Sequence, residues 1–162
     1  MRKTIKFKID GEPFGKLNMQ PMNIGGHARA FNPHKNVEYM GRVIDAIDHC
    51  GSKVSFEKEE EVWVTIIAYF KIPREHYRYH KRTGKTELDK TGLLMREHII
   101  KPTKKPDLDN ISKVICDAIS KQGTIWYDDS QITCEVLMKY YDERPRVEVT
   151  LESGKEYADG TE

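Results

Sequence analysis

A chain of 162 residues is long enough for one domain with a hydrophobic core and too short for two ordinary domains. Charged residues make up 33% of it, hydrophobic residues 38%, and the net charge is +1, which is the balance of a soluble globular protein. No apolar run reaches the length of about eighteen residues that a membrane helix needs, so we predict no membrane span.

Two features of the sequence favour the cytoplasm. The first eleven residues alternate apolar and charged side chains and lack the unbroken apolar core of a secretory signal. The three cysteines, Cys50, Cys116 and Cys134, are far apart and match neither a disulfide framework nor a zinc-binding spacing. We therefore predict reduced cysteines that pack as small buried hydrophobic side chains.

The near-zero net charge hides an asymmetry along the chain. Residues 71–105 hold eleven Lys or Arg against four Asp or Glu, whereas residues 142–162 hold three Lys or Arg against seven Asp or Glu. A polyanion responds to the local field rather than to the total charge. The charge distribution therefore permits DNA binding without requiring it.

The first half of the chain is predicted to hold two strands and one helix. Apolar and charged residues alternate over residues 2–9, which indicates a strand. Residues 11–34 are rich in proline and glycine without clear periodicity, so we predict a long loop. Apolar residues recur at helical spacing over residues 35–50, and Gly51 is a typical C-cap. Residues 61–70 are rich in β-branched and aromatic side chains, which predicts a buried strand.

The middle of the chain, residues 73–105, is basic and lacks a clear pattern, with helical spacing only over residues 87–100 or so. Segments this long inside a small domain are typically functional or disordered, so we predict a long basic segment that is mobile. Its cations are candidate contacts for DNA phosphates, and the alternative is a solvated charged loop. The candidate DNA-binding residues here are Arg74, Arg78, Lys81, Arg82 and Lys85.

The last part of the chain is predicted to form a helix and two strands. The apolar stripe over residues 107–121 indicates a helix, and residues 132–140 and 146–151 alternate well enough to predict a closing β-hairpin. The element order β-α-β-α-β-β predicts a single α+β domain over residues 1–151, with a mixed sheet and two main helices. Residues 152–162 are polar and are predicted to form a frayed tail.

The chemistry is concentrated in the run KKPDLDNISKVICDAISKQGTIWYDDSQ, which begins at Lys104. Pro106 suits the entry to a helix, so Asp107 and Asp109 fall in or beside its first turn. Carboxylates there are favoured by the unsatisfied N–H groups and the helix dipole, so one reading is that they only cap the helix. The other reading is that both carboxylates face one open site.

A second acidic pair and a lysine extend the pattern. Lys113 lies four residues after Asp109, so the two share a helix face, either as a solvated ion pair or as part of a site. We expect Asp117 to orient Lys113 or to close a gap in the packing, with a supporting role beside the site as the alternative. The pair Asp128-Asp129 follows one helix length later, about 20 Å along the axis, so the two acidic pairs meet only if the chain returns. Should they converge, their oxygens suit Mg²⁺ or Mn²⁺ and the hydrolysis of phosphodiester bonds.

This run resembles the RusA family of Holliday junction resolvases. The matching pieces have independent spacings that must all coincide, and they cover about 28 residues: KPDLDN at 105–110, Lys113, DAI at 117–119, Gly123 and DDSQI at 128–132. The resemblance implies a homodimer in the cytoplasm of a bacterial or phage-infected cell. Such a dimer uses Mg²⁺ to nick four-way DNA junctions symmetrically.

The resemblance also implies roles for individual residues. Asp107 and Asp109 match the first two metal-binding aspartates of the family, and Lys113 matches its catalytic lysine. The third aspartate is Asp129 when one counts back from the glutamine of DDSQ, with Asp128 as the rival when one counts forward from the glycine.

The DNA-binding surface departs from the family pattern. Members often carry a basic run after the first strand, but the stretch GKLNMQPMN keeps only Lys16. Arg29, Lys35 and the basic residues of the 73–105 segment are candidates to compensate, and Lys104 and Lys105 directly precede the aspartates. Two alternatives therefore stay open: a flap, fork or weakly selective nuclease with the same site, and a branched-DNA binding protein without catalysis.

Overall fold

The structure, a computed structural model, describes residues 2–154 and is organised around a four-stranded mixed sheet. Its strands lie in the order β1 (Thr4–Asp10), β8 (Arg146–Ser153), β4 (Val62–Lys71) and β7 (Ile132–Asp142). β8 is antiparallel to both of its neighbours, whereas β7 runs parallel to β4. The predicted α+β class with a mixed sheet is confirmed.

The predicted hairpin between the last two strands is wrong, because β4 lies between them. Ile66 of β4 is level with Val149 of β8 on one side and with Leu137 of β7 on the other. β4 is the most apolar strand, and its buried N–H and C=O groups need partners along both edges. Two strands with alternating polarity and a short connection predict a hairpin. The local sequence gives no sign that β4, from earlier in the chain, lies between them.

Two long helices cover one face of the sheet. They are α1 (His34–His49) and α3 (Leu108–Gln122), within one or two residues of the predicted bounds. Both follow the 3.6-residue period, and their apolar stripes meet the inward face of β1, β4 and β8 in a single core. The largest fully buried side chains from the two helices are Val43, Ile111, Val114, Ile115 and Ile119.

The segments between these elements contain structure that the sequence analysis missed. The predicted loop at 11–34 contains a two-stranded ribbon, β2 (Gln20–Ile24) and β3 (His27–Phe31), in which every residue is exposed. A ribbon without a buried face needs no alternation of polarity, so no periodic signal marks it.

The basic segment 73–105 also contains defined elements. It holds the hairpin β5 (Tyr77–His80) and β6 (Lys85–Leu88), followed by a third helix, α2 (Lys90–Arg96), which is shorter than expected. Asp89 caps α2 by accepting a hydrogen bond from the Gly92 N–H at 2.8 Å. The mobility of this segment stays a prediction.

The cysteines and the chain end differ in part from expectation. Cys116 is buried in α3, as predicted, and Cys50 is half-buried, but Cys134 is exposed because it lies on the edge strand β7. β8 continues to Ser153, two residues into the predicted tail, and residues 155–162 of that tail lie outside the described residues. No helix within residues 2–154 is long and apolar enough to cross a membrane.

The loop after β1 packs closely on the start of α3. The Lys16 N–H donates to the Asn110 carbonyl at 2.8 Å, and the buried Asn36 side chain bonds both the N–H and the C=O of Leu17 at 2.8 Å. A Cβ placed on Gly15 would lie 2.5 Å from the Pro106 Cβ and 3.3 Å from the Asn110 Cβ. The close approach of loop and helix therefore requires glycine at position 15.

We expect Gly15→Ala to lower the free energy of unfolding by about 1–3 kcal/mol, because the added methyl overpacks the contact with Pro106. The control is Gly41→Ala in α1, where a Cβ meets no atom within 4 Å. That change removes a helix-interior glycine and is expected to stabilise the protein by up to about 1 kcal/mol. Urea denaturation measures both, and a Gly15→Ala protein as stable as the parent would contradict the predicted close contact.

Candidate functional site

Asp107 and Asp109 lie at the start of α3, where helix capping is the simplest role for a carboxylate. Asp107 occupies the N-cap position with extended backbone angles, but its side chain makes no capping hydrogen bond. Its backbone carbonyl instead accepts the Ile111 N–H at 3.2 Å. The Asp107 carboxylate is exposed and does not serve as the cap of this helix, so capping does not explain why an acid stands there.

Asp109 and Lys113 form the ion pair that their spacing predicts. The Lys113 Nζ lies 2.9 Å from an Asp109 carboxylate oxygen, and both side chains are more than half exposed. The hydrogen bond from Lys113 lowers the pKa of Asp109, with the lysine charge adding to the effect. Asp109 is therefore held in the ionised form that a cation ligand requires.

Asp117 does not orient Lys113 as expected. It forms an ion pair with Lys16, whose backbone N–H is bonded to the carbonyl of Asn110, about two turns earlier on the helix. The loop after β1 folds back over α3, a tertiary arrangement that helical spacing cannot reveal. Lys16 is thereby fixed beside the helix that carries the aspartates.

Asp128 and Asp129 lie on a short 3-10 turn between α3 and β7. The Asp128 carboxylate accepts a hydrogen bond from the Ser130 N–H at 2.9 Å, and bonds from Ser130 lower the pKa of Asp128. One oxygen of Asp128 is thus used by the turn itself. Gln131 is buried beneath the same turn.

The chain does return along α3 after this turn. The Trp126 indole N–H donates to the Ser120 hydroxyl at 2.9 Å, which folds the connection back onto the last helical turn. β7 then runs antiparallel to the helix: Glu135 accepts a hydrogen bond from Ser112, and farther along the strand the Lys139 Nζ donates to the Lys104 carbonyl at 2.7 Å.

The middle of α3 is surrounded by negative charge. Burial raises the pKa of the Cys116 thiol to about 11, and the charges of Glu135, Asp129 and Asp117 add to the rise. These three carboxylates therefore lie within electrostatic reach of one helix position. Glu135 is a residue that the sequence analysis missed, because an acid on the exposed part of an edge strand carries no signal of its own.

The donor types suit a hard divalent cation, but the carboxylates stand on separate elements. Asp107 and Asp109 lie at the start of α3, and Asp128 and Asp129 lie on the turn that follows it. Aspartate oxygens are the ligands that Mg²⁺ prefers. Within residues 2–154, however, no three His, Cys, Asp or Glu side chains lie together closely enough to hold one ion.

One member of each acidic pair lines an open cleft. A cleft of about 430 Å³ lies between the loop after β1 and the start of α3, and its lining includes Lys16, Lys105, Asp107 and Asn110. A second cleft, of about 390 Å³, lies beside the turn and includes Asp128 and Gln131 in its lining. Lys16 and Lys105 line the first cleft together with the carboxylate of Asp107, so the cleft presents positive charge beside an acidic side chain.

The other predicted DNA-binding residues are solvent-exposed and lie in two places, at or just before the β5–β6 hairpin and directly before α3. Four of them lie on or beside the β5–β6 hairpin, with the exposed Tyr79 among them, and Arg78 pairs with Asp89 at 3.5 Å. Lys104 and Lys105 directly precede the start of α3. The exposed cations are Arg74, Arg78, Lys81, Arg82, Lys85, Lys104 and Lys105.

We expect Lys113→Met to raise the pKa of Asp109 towards its ordinary value, because the hydrogen bond and the charge that stabilise the carboxylate are both removed. In the parent the carboxylate stays ionised to lower pH, whereas in the variant it takes up its proton at higher pH. NMR titration of the carboxyl carbons measures this shift. Lys121→Met, at the other end of α3, is the control and should leave Asp109 unchanged; an unaltered Asp109 titration in Lys113→Met would rule out the ion pair.

Two comparisons with known proteins bear on this arrangement. The profile of a family described as endodeoxyribonuclease RusA matches residues 10–152. The chain is also 29% identical over 153 residues to the uncharacterised protein YqaN of Bacillus subtilis (strain 168), a match that covers 91% of this chain and 94% of YqaN. The family match spans the strands and helices described above except β1, of which it includes only Asp10, and the last residue of β8. It includes both acidic pairs and Lys113. The chain therefore belongs to the RusA family of endodeoxyribonucleases.

Proposed function

We propose that this protein is a metal-dependent endonuclease that resolves four-way DNA junctions. The observation that carries the proposal is the exposed Asp107 carboxylate, which makes no capping bond although it stands at the N-cap beside the Asp109–Lys113 pair. The chain belongs to a family of endodeoxyribonucleases. A carboxylate that has no structural role in such a protein is best explained by a role in DNA cleavage.

The proposed cofactor is Mg²⁺, with Mn²⁺ as a substitute, held by Asp107, Asp109 and Asp129. When bound, the cation supplies a water of lowered pKa and stabilises charge on the phosphate. Asp129 is favoured over Asp128 because one carboxylate oxygen of Asp128 already accepts a hydrogen bond from the Ser130 N–H. Because no three of these donors lie together within residues 2–154, we place one ion at Asp107 and Asp109 and a second at Asp129, with phosphate oxygens and water completing each coordination shell.

The chain's own cations have separate tasks in this proposal. Lys113 keeps Asp109 ionised in the free protein and, with DNA bound, donates a hydrogen bond to the phosphate as negative charge develops. Lys16 and Lys105 line the cleft beside Asp107 and bind the phosphates that flank the cleaved bond. Lys104 and the exposed cations of the hairpin, Arg74, Arg78, Lys81, Arg82 and Lys85, follow the DNA backbone farther away.

The proposed acting form is a homodimer in the cytoplasm, because a two-fold protein presents one site to each of two opposed strands of a two-fold junction. A second candidate is a flap, fork or weakly selective nuclease with the same site. The observation that favours it is the scarcity of cations after β1, where Lys16 is the one basic residue between Gly11 and Ala28 apart from His27. A purely binding protein is disfavoured, since acids beside the DNA repel phosphate unless a cation neutralises them.

We expect Asp109→Asn and Asp129→Asn each to slow the nicking of synthetic four-way junctions in Mg²⁺ by about 100-fold or more, because a lost ligand removes several kcal/mol of charge stabilisation. Junction binding without a divalent ion should survive both changes. Asp45→Asn, an exposed acid on α1, is the matched control and should cut like the parent.

Parallel assays on flaps and plain duplexes separate the candidates. Preference for the junction supports a resolvase, and equal cutting of all substrates supports the weakly selective nuclease. Unchanged cutting by both aspartate variants would refute the proposed active site, and binding without any cutting by the parent would leave the non-catalytic reading.

A further inference from the structure

Gln131 makes an unusually complete set of hydrogen bonds for a side-chain amide. It is 9% exposed and lies beneath the turn that carries Asp128 and Asp129. Its amide oxygen accepts the N–H groups of Tyr127 at 2.7 Å and Asp128 at 3.2 Å. Its amide nitrogen donates to the carbonyls of Glu57 at 2.7 Å and Glu60 at 3.0 Å. Both acceptor sites and both donors of the amide are therefore used.

These four bonds connect two segments that are 71–74 residues apart in sequence. One is the acidic turn, and the other is the loop that leads into β4. The oxygen side of Gln131 fixes the backbone on entry to the turn, while the Asp128 carboxylate closes the turn by accepting the Ser130 N–H. The position of Asp129 follows from this backbone, because it is the first residue of the 3-10 turn between these two restraints.

The loop that receives Gln131 is itself anchored. The Glu60 side chain is 8% exposed, accepts the Glu57 N–H at 2.8 Å and pairs with the Lys3 Nζ at 2.7 Å. Lys3 directly precedes β1, and the Glu61 carbonyl accepts the Gly154 N–H at the end of β8 at 2.8 Å. The loop that Gln131 bonds is therefore anchored to the sheet, so the acidic turn is tied to the sheet through Gln131 as well as to α3 through the Trp126–Ser120 bond.

We propose that Gln131 is a positioning residue for the cation site: it fixes the Asp129 carboxylate relative to the start of α3 through its four bonds to the turn and to the 57–60 loop. The inference rests on the proposed function, because it takes Asp129 as a cation ligand. Gln131 itself touches neither the cation nor DNA. Its effect is on the affinity of the site for the cation, since a displaced ligand is lost from the coordination shell.

The four hydrogen bonds of Gln131 require a side-chain amide, because only an amide both donates and accepts twice. A glutamate at position 131 has the same shape but cannot donate, so it would face the carbonyls of Glu57 and Glu60 with like partial charge. A methionine has a similar volume and keeps none of the four bonds, so the N–H groups of Tyr127 and Asp128 and the Glu60 carbonyl lose this partner. The Glu57 carbonyl still accepts the Glu60 N–H. Replacement by either residue should move the turn while the start of α3 stays in place.

The test compares Gln131→Met with the parent in two independent measurements. We expect the Mg²⁺ concentration for half-maximal junction nicking to rise about 10- to 100-fold, as is typical when a residue that orients a ligand is lost. We expect the affinity of the free protein for Mn²⁺, measured by electron paramagnetic resonance, to fall by a similar factor. Junction binding in EDTA should stay within about twofold of the parent, because the DNA-binding cations lie elsewhere.

Two further variants separate positioning from plain stability. Val43→Ala removes fully buried core volume in α1 and should lower the Tm without changing the dependence on Mg²⁺ or the affinity for Mn²⁺. Lys3→Met loosens the 57–60 loop at its far anchor and leaves Gln131 intact, so it should weaken cation affinity in the same direction but less. This variant also serves if Gln131→Met does not fold.

The outcomes distinguish this inference from the proposed function. A lower Tm with unchanged Mg²⁺ and Mn²⁺ dependence in Gln131→Met would make Gln131 purely structural and overturn the inference alone. If the parent cuts no DNA but binds Mn²⁺, and Gln131→Met weakens that binding, the nuclease proposal fails and the positioning role stands. A parent that binds no Mn²⁺ overturns both.

Discussion

The parallel pairing of β4 with β7 is the constraint on which the rest of the arrangement depends. Parallel strands begin at the same end of a sheet, so the chain that leaves α3 must travel to the start of β4 before β7 can form. Ile132, the first residue of β7, is level with Val62, the first of β4. The acidic turn just before β7 therefore lies next to the loop just before β4, which is where the Gln131 amide bridges the two.

The same pairing determines how the strand and the helix share the candidate site. Because β7 runs back along α3, its residues meet the helix in reverse order, with Glu135 at Ser112 and Lys139 at Lys104. The helix thus carries one acidic pair at its start, while the turn carries the other and is supported by the sheet. A site divided in this way depends on the packing of α3 against the sheet for its final dimensions.

The ion pairs around α3 matter more for where they place charge than for stability. Exposed ion pairs of the Asp109–Lys113 kind contribute about 0–1 kcal/mol, because solvent screens them. Their effect is to hold Asp109 ionised and to keep Lys16, paired with Asp117, beside the helix. In the proposed site, these lysines offset part of the negative charge that the carboxylates would otherwise present to a phosphate.

Local patterns in the sequence were sufficient for the helices, for the strands of the main sheet and for the positions of both acidic pairs. Apolar side chains recur at the period of each element because one face is buried, and this periodicity is written into neighbouring residues. The exposed ribbon at 20–31 was not predicted, because it buries no face and therefore shows no periodic pattern. The spacing from Asp107 through Lys113 to the Asp128-Asp129 pair was enough to indicate the family.

Only the tertiary structure determined which strands pair and which side chains contact each other. It placed β4 between the two strands that a short turn seemed to join, gave Asp117 to Lys16 instead of Lys113, and set Glu135 against α3. It also showed that the glutamine of the DDSQ run spans to a loop more than seventy residues away. Strand partners, loop contacts and long-range hydrogen bonds are chosen by how all the elements pack together, and no stretch of the chain records that choice by itself.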